Sequence, residues 1–376
     1  PGLKGVPKGT VKSMRVFTYT YGYRGMGGHS QFGIESGWDA KRILGTVPVE
    51  EDGSANFIVP ANTPFSMQPL DKDNKALAIM RSWTVAMPGE RLSCVGCHES
   101  QSMTSPTRRT KAMSRKSSTL KPFYGQTRGF SFQREIQPIV DKYCVGCHDG
   151  AKDIKGLAAK GVKVADRIVG TGANTGKRFR EVGIPDLSNP RSAHTNLHPY
   201  VRRNGPEGDY HLLTPLEFHA DTSELVQMFQ KGHHNVKLDK DSWTRLYTWI
   251  DLNAPLHGTW TEAGAKKDIL DRRMELRKLY AFDDYNPEQI LNPYKKAEKC
   301  IMPAPYSTKD LPKAAKAKIV AQKSETMELD LGKAGKMKLV SIPAGEFSMG
   351  TNSETPAERP ISRVKIVKGF MMGATE

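Results

Sequence analysis

Cys144-Val145-Gly146-Cys147-His148 occurs twice in the chain, because residues 94–98 repeat the same five amino acids. Two cysteines separated by two residues and followed at once by histidine are the attachment sequence of c-type haem. The two thiols can add across the two vinyl groups of one porphyrin, and the histidine is then held beneath the iron. Zinc-binding cysteine pairs usually lie closer together in sequence, and a redox dithiol does not require the histidine. The repeat therefore predicts two covalently bound c-type haems.

The motif residues divide into thioether cysteines and axial histidines. The predicted residues are Cys94, Cys97 and His98 for the first haem, and Cys144, Cys147 and His148 for the second. Cys300, the one cysteine outside the motifs, has no partner and no base beside it in sequence. We expect it to be structural or a free thiol. The sequence assigns no catalytic residue.

The composition and the motifs limit where the protein is expected to function and which partners it is expected to bind. A chain of 376 residues is long enough for two or three domains, and no apolar run reaches the length of a membrane span. Thioether attachment takes place outside the cytoplasm, so we expect a periplasmic or other extracytoplasmic protein. The net charge of +16 favours a redox partner protein that is acidic, and no base-reading motif points to nucleic acid.

The ends of the chain suggest a fragment. It begins at Pro1 without an initiator methionine, and it stops at Glu376 within a recognisable pattern. We therefore expect an internal piece of a longer protein.

Residues 1–105 are predicted to form a β-rich domain that carries the first haem. Short β-branched and aromatic runs, such as residues 14–21, recur at regular spacing between turn residues. This pattern favours a small antiparallel β-sandwich. Residues 106–129 are polar and basic, with the charge concentrated in residues 108–121, and are predicted to be a flexible linker.

Residues 130–262 are predicted to form a mainly α-helical, cytochrome c-like domain. Ile136, Ile139, Val140 and Tyr143 have helical spacing and lead directly into Cys144. A helix that ends in the haem motif presses an apolar face against the porphyrin and delivers both cysteines from its last turn.

A sixth ligand for the second haem is expected from a later histidine. A helix over residues 223–231, begun by Ser223, is followed by Gly232 and then by His233 and His234. A second helix, whose apolar face includes Trp243, follows with Asp239 or Asp241 as its cap. A helix that ends at glycine and then presents imidazole suits axial ligation, so His233 is preferred, with His234 or His219 as alternatives.

The rest of the chain divides into two parts. Residues 263–336 are predicted to be a helical and linker segment, in which Ile269, Leu276, Leu279 and Tyr280 form the packed side of a helix. Residues 337–376 return to strand-forming sequence and are predicted to begin a separate domain.

Two stretches resemble the hydrazine synthase alpha subunit. The first is Ile43-Leu-Gly-Thr-Val-Pro-Val-Glu-Glu-Asp-Gly-Ser-Ala55, continued by Met80-Arg-Ser-Trp83 and by Pro88-Gly-Glu90 before the first motif; it resembles the middle domain. The second, Gly232-His-His-Asn-Val-Lys-Leu238 with Trp249-Ile-Asp-Leu-Asn253, resembles the haem domain that follows in those proteins. This resemblance implies a haem enzyme that acts on a small inorganic nitrogen substrate at the first haem.

The resemblance departs at one residue. In hydrazine synthase a tyrosine shortly after the first motif takes the iron and frees the motif histidine. Ser102 stands at that place here. The departure argues against hydrazine synthesis itself and returns His98 to the ordinary axial role.

The last residues resemble a different family. Ile342-Pro-Ala-Gly-Glu-Phe-Ser-Met-Gly350 and Glu354-Thr-Pro-Ala-Glu-Arg-Pro360 are similar to the opening of formylglycine-generating, sulfatase-modifying factor domains. The resemblance implies a truncated α+β domain of that kind.

Three functions are compatible with these patterns. The first is electron relay between a redox partner and a fused catalytic domain. The second is a hydrazine-synthase-like oxidoreductase. The third is a haem-stabilised scaffold for the modifying-factor domain.

Overall fold

The computed structural model describes most of the chain, in two compact units. The described residues are 3–22, 32, 39–80, 82–94, 109–150, 185–201, 215–217, 219–282, 284–291, 294–296, 300–301, 326–330, 336–349, 362–366 and 369–373. The first unit comprises residues 1–163 and 183–305, and the second comprises residues 164–182 and 306–376.

An antiparallel sheet forms the β-rich part of the first unit. Its strands are β1 (Ser13–Thr20), β2 (Ala40–Pro48) and β3 (Phe65–Leu70), in the order β2-β1-β3. The β-branched and aromatic residues of β1 suit the central position, because this strand is largely buried and pairs on both edges. Among the described residues these strands make one sheet covered by helices, so the two-layer sandwich stays a prediction.

The basic segment after the first haem motif lies along this sheet. Thr46 and Lys121 exchange two backbone hydrogen bonds of 2.9 Å, and Phe130 donates to the Lys41 carbonyl at 2.8 Å. Gly45 permits the approach, since a Cβ there would lie 2.6 Å from the Lys121 carbonyl oxygen. The described part of the expected linker, residues 109–129, is thus an ordered strap with backbone partners in and beside the sheet.

Acidic side chains in the turn after β2 neutralise part of this strap. Lys111 pairs with Glu51 at 2.5 Å, and Arg115 pairs with Glu50 at 2.5 Å. The Lys111 backbone N–H also donates to the Asp52 carboxylate at 2.9 Å. Composition alone suggested a solvated basic run, but these long-range pairs hold it in place.

Six α-helices follow in the part of the first unit that the structure describes. They are α1 (Phe132–Glu135), α2 (Gln137–Tyr143), α3 (Pro190–Leu197), α4 (Glu224–Gln230), α5 (Lys240–Asp251) and α6 (Lys267–Leu276). The predicted apolar stripe of α2 is buried, with Ile136 fully so. Asp239 is the N-cap of α5 and accepts from Ser242 N–H, which decides between the two predicted caps.

The helix α6 differs from its prediction. It continues into a π-helical turn, Arg277–Ala281. Leu279 is 57% exposed and Tyr280 is 74% exposed, so the predicted apolar side of this helix faces solvent over its last turn. The wider turn rotates these residues out of the 3.6-residue register on which the prediction depended.

Sheet and helices share one apolar core. Phe17 and Ile43 of the sheet belong to the same buried cluster as Phe132, Ile136 and Trp249 of the helices. The predicted boundary near residue 130 is therefore crossed by continuous packing, and the extents of the predicted domains stay a prediction.

A buried polar network reinforces this junction. The Arg15 guanidinium donates to Gln68 at 2.8 Å and to the Thr248 hydroxyl at 2.9 Å. The Asp251 carboxylate accepts backbone N–H groups of Ala76 and Ala220, both at 2.8 Å. These buried hydrogen bonds join α5 to the sheet.

The second unit contains five strands in its described residues. They are β4 (Thr326–Asp330), β5 (Lys336–Ile342), β6 (Gly345–Met349), β7 (Ser362–Ile366) and β8 (Phe370–Gly373). They form one sheet of order β4-β5-β8 and a separate β6–β7 pair, all antiparallel. The coarse expectation of a multidomain protein with antiparallel sheets and several helices is confirmed. The modifying-factor resemblance stays a prediction.

No helix in the described ranges is long and apolar enough to span a membrane.

Replacing Asp251 tests the buried network. Asp251→Ala leaves two buried N–H groups without an acceptor and removes the carboxylate that offsets Arg15, so the free energy of unfolding should fall by about 3 kcal/mol or more. Asp241→Ala on the same helix removes one exposed hydrogen bond with Tyr124 and should cost less than about 1 kcal/mol. Urea unfolding of the holoprotein, followed by circular dichroism, measures both. Equal losses in the two variants would contradict the assignment.

Limited trypsin digestion tests the strap. The bonds after Lys111, Arg115 and Lys116 should resist cleavage, because the backbone N–H groups at residues 111 and 118 are hydrogen-bonded to Asp52 and Asn56 and must first open. Mass spectrometry of the early fragments reports the order of cuts. Early cutting at these three bonds would instead restore the flexible linker expected from composition.

Candidate haem site

The second Cys-x-x-Cys-His motif lies at the end of α2. The N–H of Cys144 donates to the Val140 carbonyl at 2.8 Å, so the helical path continues into the motif. The N–H groups of Cys147 and His148 then donate to the Cys144 carbonyl at 3.0 and 2.9 Å. This tight turn presents both cysteines and the histidine from one short loop, as the sequence pattern predicts.

The His148 ring is oriented by a backbone carbonyl. Its Nδ1 lies 3.3 Å from the Pro185 carbonyl oxygen. A carbonyl only accepts, so this contact requires the proton on Nδ1 and leaves the lone pair on Nε2. Burial lowers the pKa of His148 from its ordinary value. A neutral imidazole whose second nitrogen is held by a carbonyl is the usual form of a metal-ligating histidine.

His233 lies across from His148. Their ring centroids are 6.1 Å apart and their planes differ by 29°. Two imidazole–metal bonds of about 2 Å, with roughly 1 Å from each nitrogen to its ring centre, place two ligands of one metal ~6 Å apart. The spacing between these two rings therefore suits one iron bound from both sides.

The turn after α4 places His233. Gly232 adopts a left-handed conformation at φ 92°, and its N–H donates to the Phe229 carbonyl at 3.0 Å. The Phe229 ring packs edge-on against His233, with centroids 5.8 Å apart, and also against Trp243 of α5. Glycine is needed at this turn because residues with a Cβ avoid that conformation. The predicted combination of a helix end, a glycine and an imidazole is present.

Cys300 lies beside the motif, which its position in the sequence did not indicate. Its Sγ accepts a hydrogen bond from Gly146 N–H at 3.2 Å, and Ile301 N–H donates to the Lys142 carbonyl at 2.7 Å. Desolvation raises the pKa of the Cys144 thiol to about 12, and the sulfurs of Cys300 and Cys147 add to the shift. Cys300 and Ile301 therefore hold the motif loop in place through these two hydrogen bonds.

Asp141 also connects α2 to this later segment. Tyr294 donates its hydroxyl proton to one Asp141 oxygen at 2.6 Å, and Gln137 donates its amide N–H to the other at 2.8 Å. Burial raises the pKa of Tyr294, and the adjacent Asp141 carboxylate raises it further. A raised pKa keeps the proton on the Tyr294 hydroxyl, which therefore donates a stable hydrogen bond to Asp141. This hydrogen bond holds the segment around Tyr294 against α2.

The other predicted ligands have different surroundings. His219 is 3% exposed, its Nδ1 lies 2.6 Å from the Glu217 carbonyl oxygen, and the N–H of the next residue, Ala220, donates to the buried Asp251 carboxylate. His234 lies beside His233, with ring centroids 4.7 Å apart. Of the first motif, Cys94 is exposed and described, whereas Cys97 and His98 lie outside the described residues, as does Ser102.

The donor set fits a covalent haem at the second motif. It offers two thiols from one loop, one neutral imidazole after them, and a second imidazole at the right spacing. Within the described ranges, no cluster of three or more histidine, cysteine or acidic side chains is arranged to hold a bare metal ion. Cys144, Cys147, His148 and His233 are the residues that would hold such a haem.

Part of the chain is similar to known proteins. No curated protein matches the chain. Among solved structures, hydrazine synthase from Kuenenia stuttgartiensis is similar at 18% identity with a TM-score of 0.37; the match covers 67% of this chain and 40% of that one. The chain therefore spans less than half the length of that structure's chain. Residues 9–99, which include the first Cys-x-x-Cys-His motif, match the family model of the hydrazine synthase alpha subunit middle domain.

Proposed function

We propose that the chain is part of an exported dihaem c-type cytochrome whose second haem relays electrons. The 6.1 Å spacing between the His148 and His233 rings carries this proposal. Cys144 and Cys147 supply the thioethers, and the two histidines supply the axial ligands. The same motif at residues 94–98 supports a second haem of the same type.

The haem supplies one-electron oxidation and reduction when it is bound. The protein's own groups hold it and close its axial positions. His148, oriented by the Pro185 carbonyl, and His233, which packs against Phe229, would both bind the iron and leave no coordination position for a substrate. Two imidazoles also give a lower reduction potential than one imidazole and one methionine. A site with both faces filled suits electron transfer better than substrate binding.

A hydrazine-synthase-like enzyme is the second candidate, and the match over residues 9–99 favours it. On this candidate, an inorganic nitrogen compound reacts at the first haem and the second haem exchanges electrons with a redox partner. The replacement of the expected tyrosine by Ser102 argues for a chemistry other than hydrazine synthesis.

The scaffold function remains a third proposal, which the resemblance of residues 342–360 to modifying-factor domains supports. Export to the periplasm or an equivalent compartment follows from thioether formation. The large positive charge supports an acidic redox partner.

Cysteine variants test haem attachment. The double variant Cys144→Ser/Cys147→Ser should lose one of two covalent haems, because serine cannot form a thioether. Cys300→Ser is the matched control, since this thiol also contacts the loop but is not used for attachment. Denaturing gels stained for haem and the intact mass of the chain measure the haem count. A wild-type chain that lost all its haem on denaturation would refute the cytochrome proposal.

Spin state separates the two leading candidates. A pure relay should show two six-coordinate low-spin haems in the holoprotein. A hydrazine-synthase-like enzyme should show one low-spin haem and one high-spin haem that binds carbon monoxide or hydroxylamine. Electron paramagnetic resonance and optical spectra measure both properties. Two low-spin haems that bind neither probe would exclude a substrate-binding haem.

A further inference from the structure

The turn around His233 has an unusual backbone. Gly232, His234 and Asn235 all have positive φ, at 92°, 47° and 61°. Residues other than glycine adopt this conformation at a cost in free energy, and such strain persists where the surrounding structure holds it. Histidine and asparagine are among the side chains that tolerate it best.

This backbone brings two successive imidazoles together. Neighbouring side chains diverge in a regular helix and point to opposite faces in a strand. Here the left-handed His234 instead places its ring 4.7 Å from the ring of His233, at an interplanar angle of 79°. Two imidazoles therefore occupy one side of the turn.

The first of the two imidazoles lies across from His148. The His233 ring is 6.1 Å from the His148 ring, and the His234 ring adjoins the His233 ring at 4.7 Å. A second potential ligand thus lies next to the first.

The turn also has room to change conformation. A Cβ on Gly232 would meet no atom within 4 Å, so open space adjoins the residue at which α4 ends. Beyond the two histidines, Val236 N–H donates to the His233 carbonyl at 2.9 Å and fixes the far end. Glycine has no Cβ to restrict rotation of its backbone, so the turn can change conformation at this residue.

We propose that His234 is an alternative ligand for the same axial position as His233, so that the second haem keeps two imidazole ligands when either histidine leaves. The proposal depends on the proposed haem at residues 144–148. Exchange between the two imidazoles changes neither the oxidation state nor the number of ligands. It gives the site two conformations with different ligand geometry and different reduction potentials.

Spectra of single and double variants of the holoprotein test the exchange. His233→Ala and His234→Ala should each keep the second haem low-spin, with shifted g values in His233→Ala, because the remaining imidazole binds. The double variant should become high-spin and bind carbon monoxide at least tenfold more tightly than either single variant. His257→Ala is the control and should retain the wild-type spectrum, since the His257 ring packs edge-on against Phe32.

The other outcomes separate the two proposals. If His233→Ala alone is as high-spin as the double variant, His233 is the sole ligand and exchange is refuted while the haem site stands. If His234→Ala alone becomes high-spin, His234 is the sole ligand and exchange is again refuted. A double variant that stays low-spin with the wild-type spectrum refutes the proposed axial ligation itself. His233→Gln repeats the measurement with a polar side chain, should alanine prevent folding.

Discussion

One carboxylate sets the distance between the haem motif and the histidine that faces it. An Asp239 oxygen accepts the Ser242 N–H at 2.7 Å and begins α5. Its other oxygen accepts from Lys142 and from the Tyr143 hydroxyl, both at 2.9 Å, immediately before Cys144. These donors hold the pKa of Asp239 well below its usual range. Because the His233 turn runs directly into Asp239, this ion binds both sides of the candidate haem site together.

Local sequence signals predicted the parts of the site that neighbouring residues determine. The buried stripe of α2, the glycine that ends the helix before His233 and the Asp239 cap each depend on contacts within a few residues. Their periodicity, backbone preference and side-chain chemistry can be read without tertiary structure. Covalent attachment of haem requires a fixed spacing of two cysteines and a histidine, and this spacing can be recognised in the sequence alone.

Contacts between distant residues were not predictable in this way. Cys300 meets Gly146 across 154 residues, and Arg15 meets Thr248 across 233. No local pattern marks either pair, since each depends on how sheet and helices pack. The basic strap is another example. Its charge suggested a solvated linker, because the glutamates that pair with it, Glu50 and Glu51, lie far away in sequence. Charge composition describes a segment's solubility better than its location.

The first unit contains both the region that matches a known family and the pair of facing imidazoles. The match to the hydrazine synthase middle domain ends just after the first motif, whereas the opposed imidazoles lie at the second. Arg15, Gln68, Thr248 and Asp251 connect the sheet of the matched region to the helices that carry the imidazoles. On the proposed ligation, both faces of the second haem would be closed, so the proposed enzyme would carry out its reaction at the first. The buried junction would then hold the sheet and the helices in one arrangement while the redox state of the second haem changes.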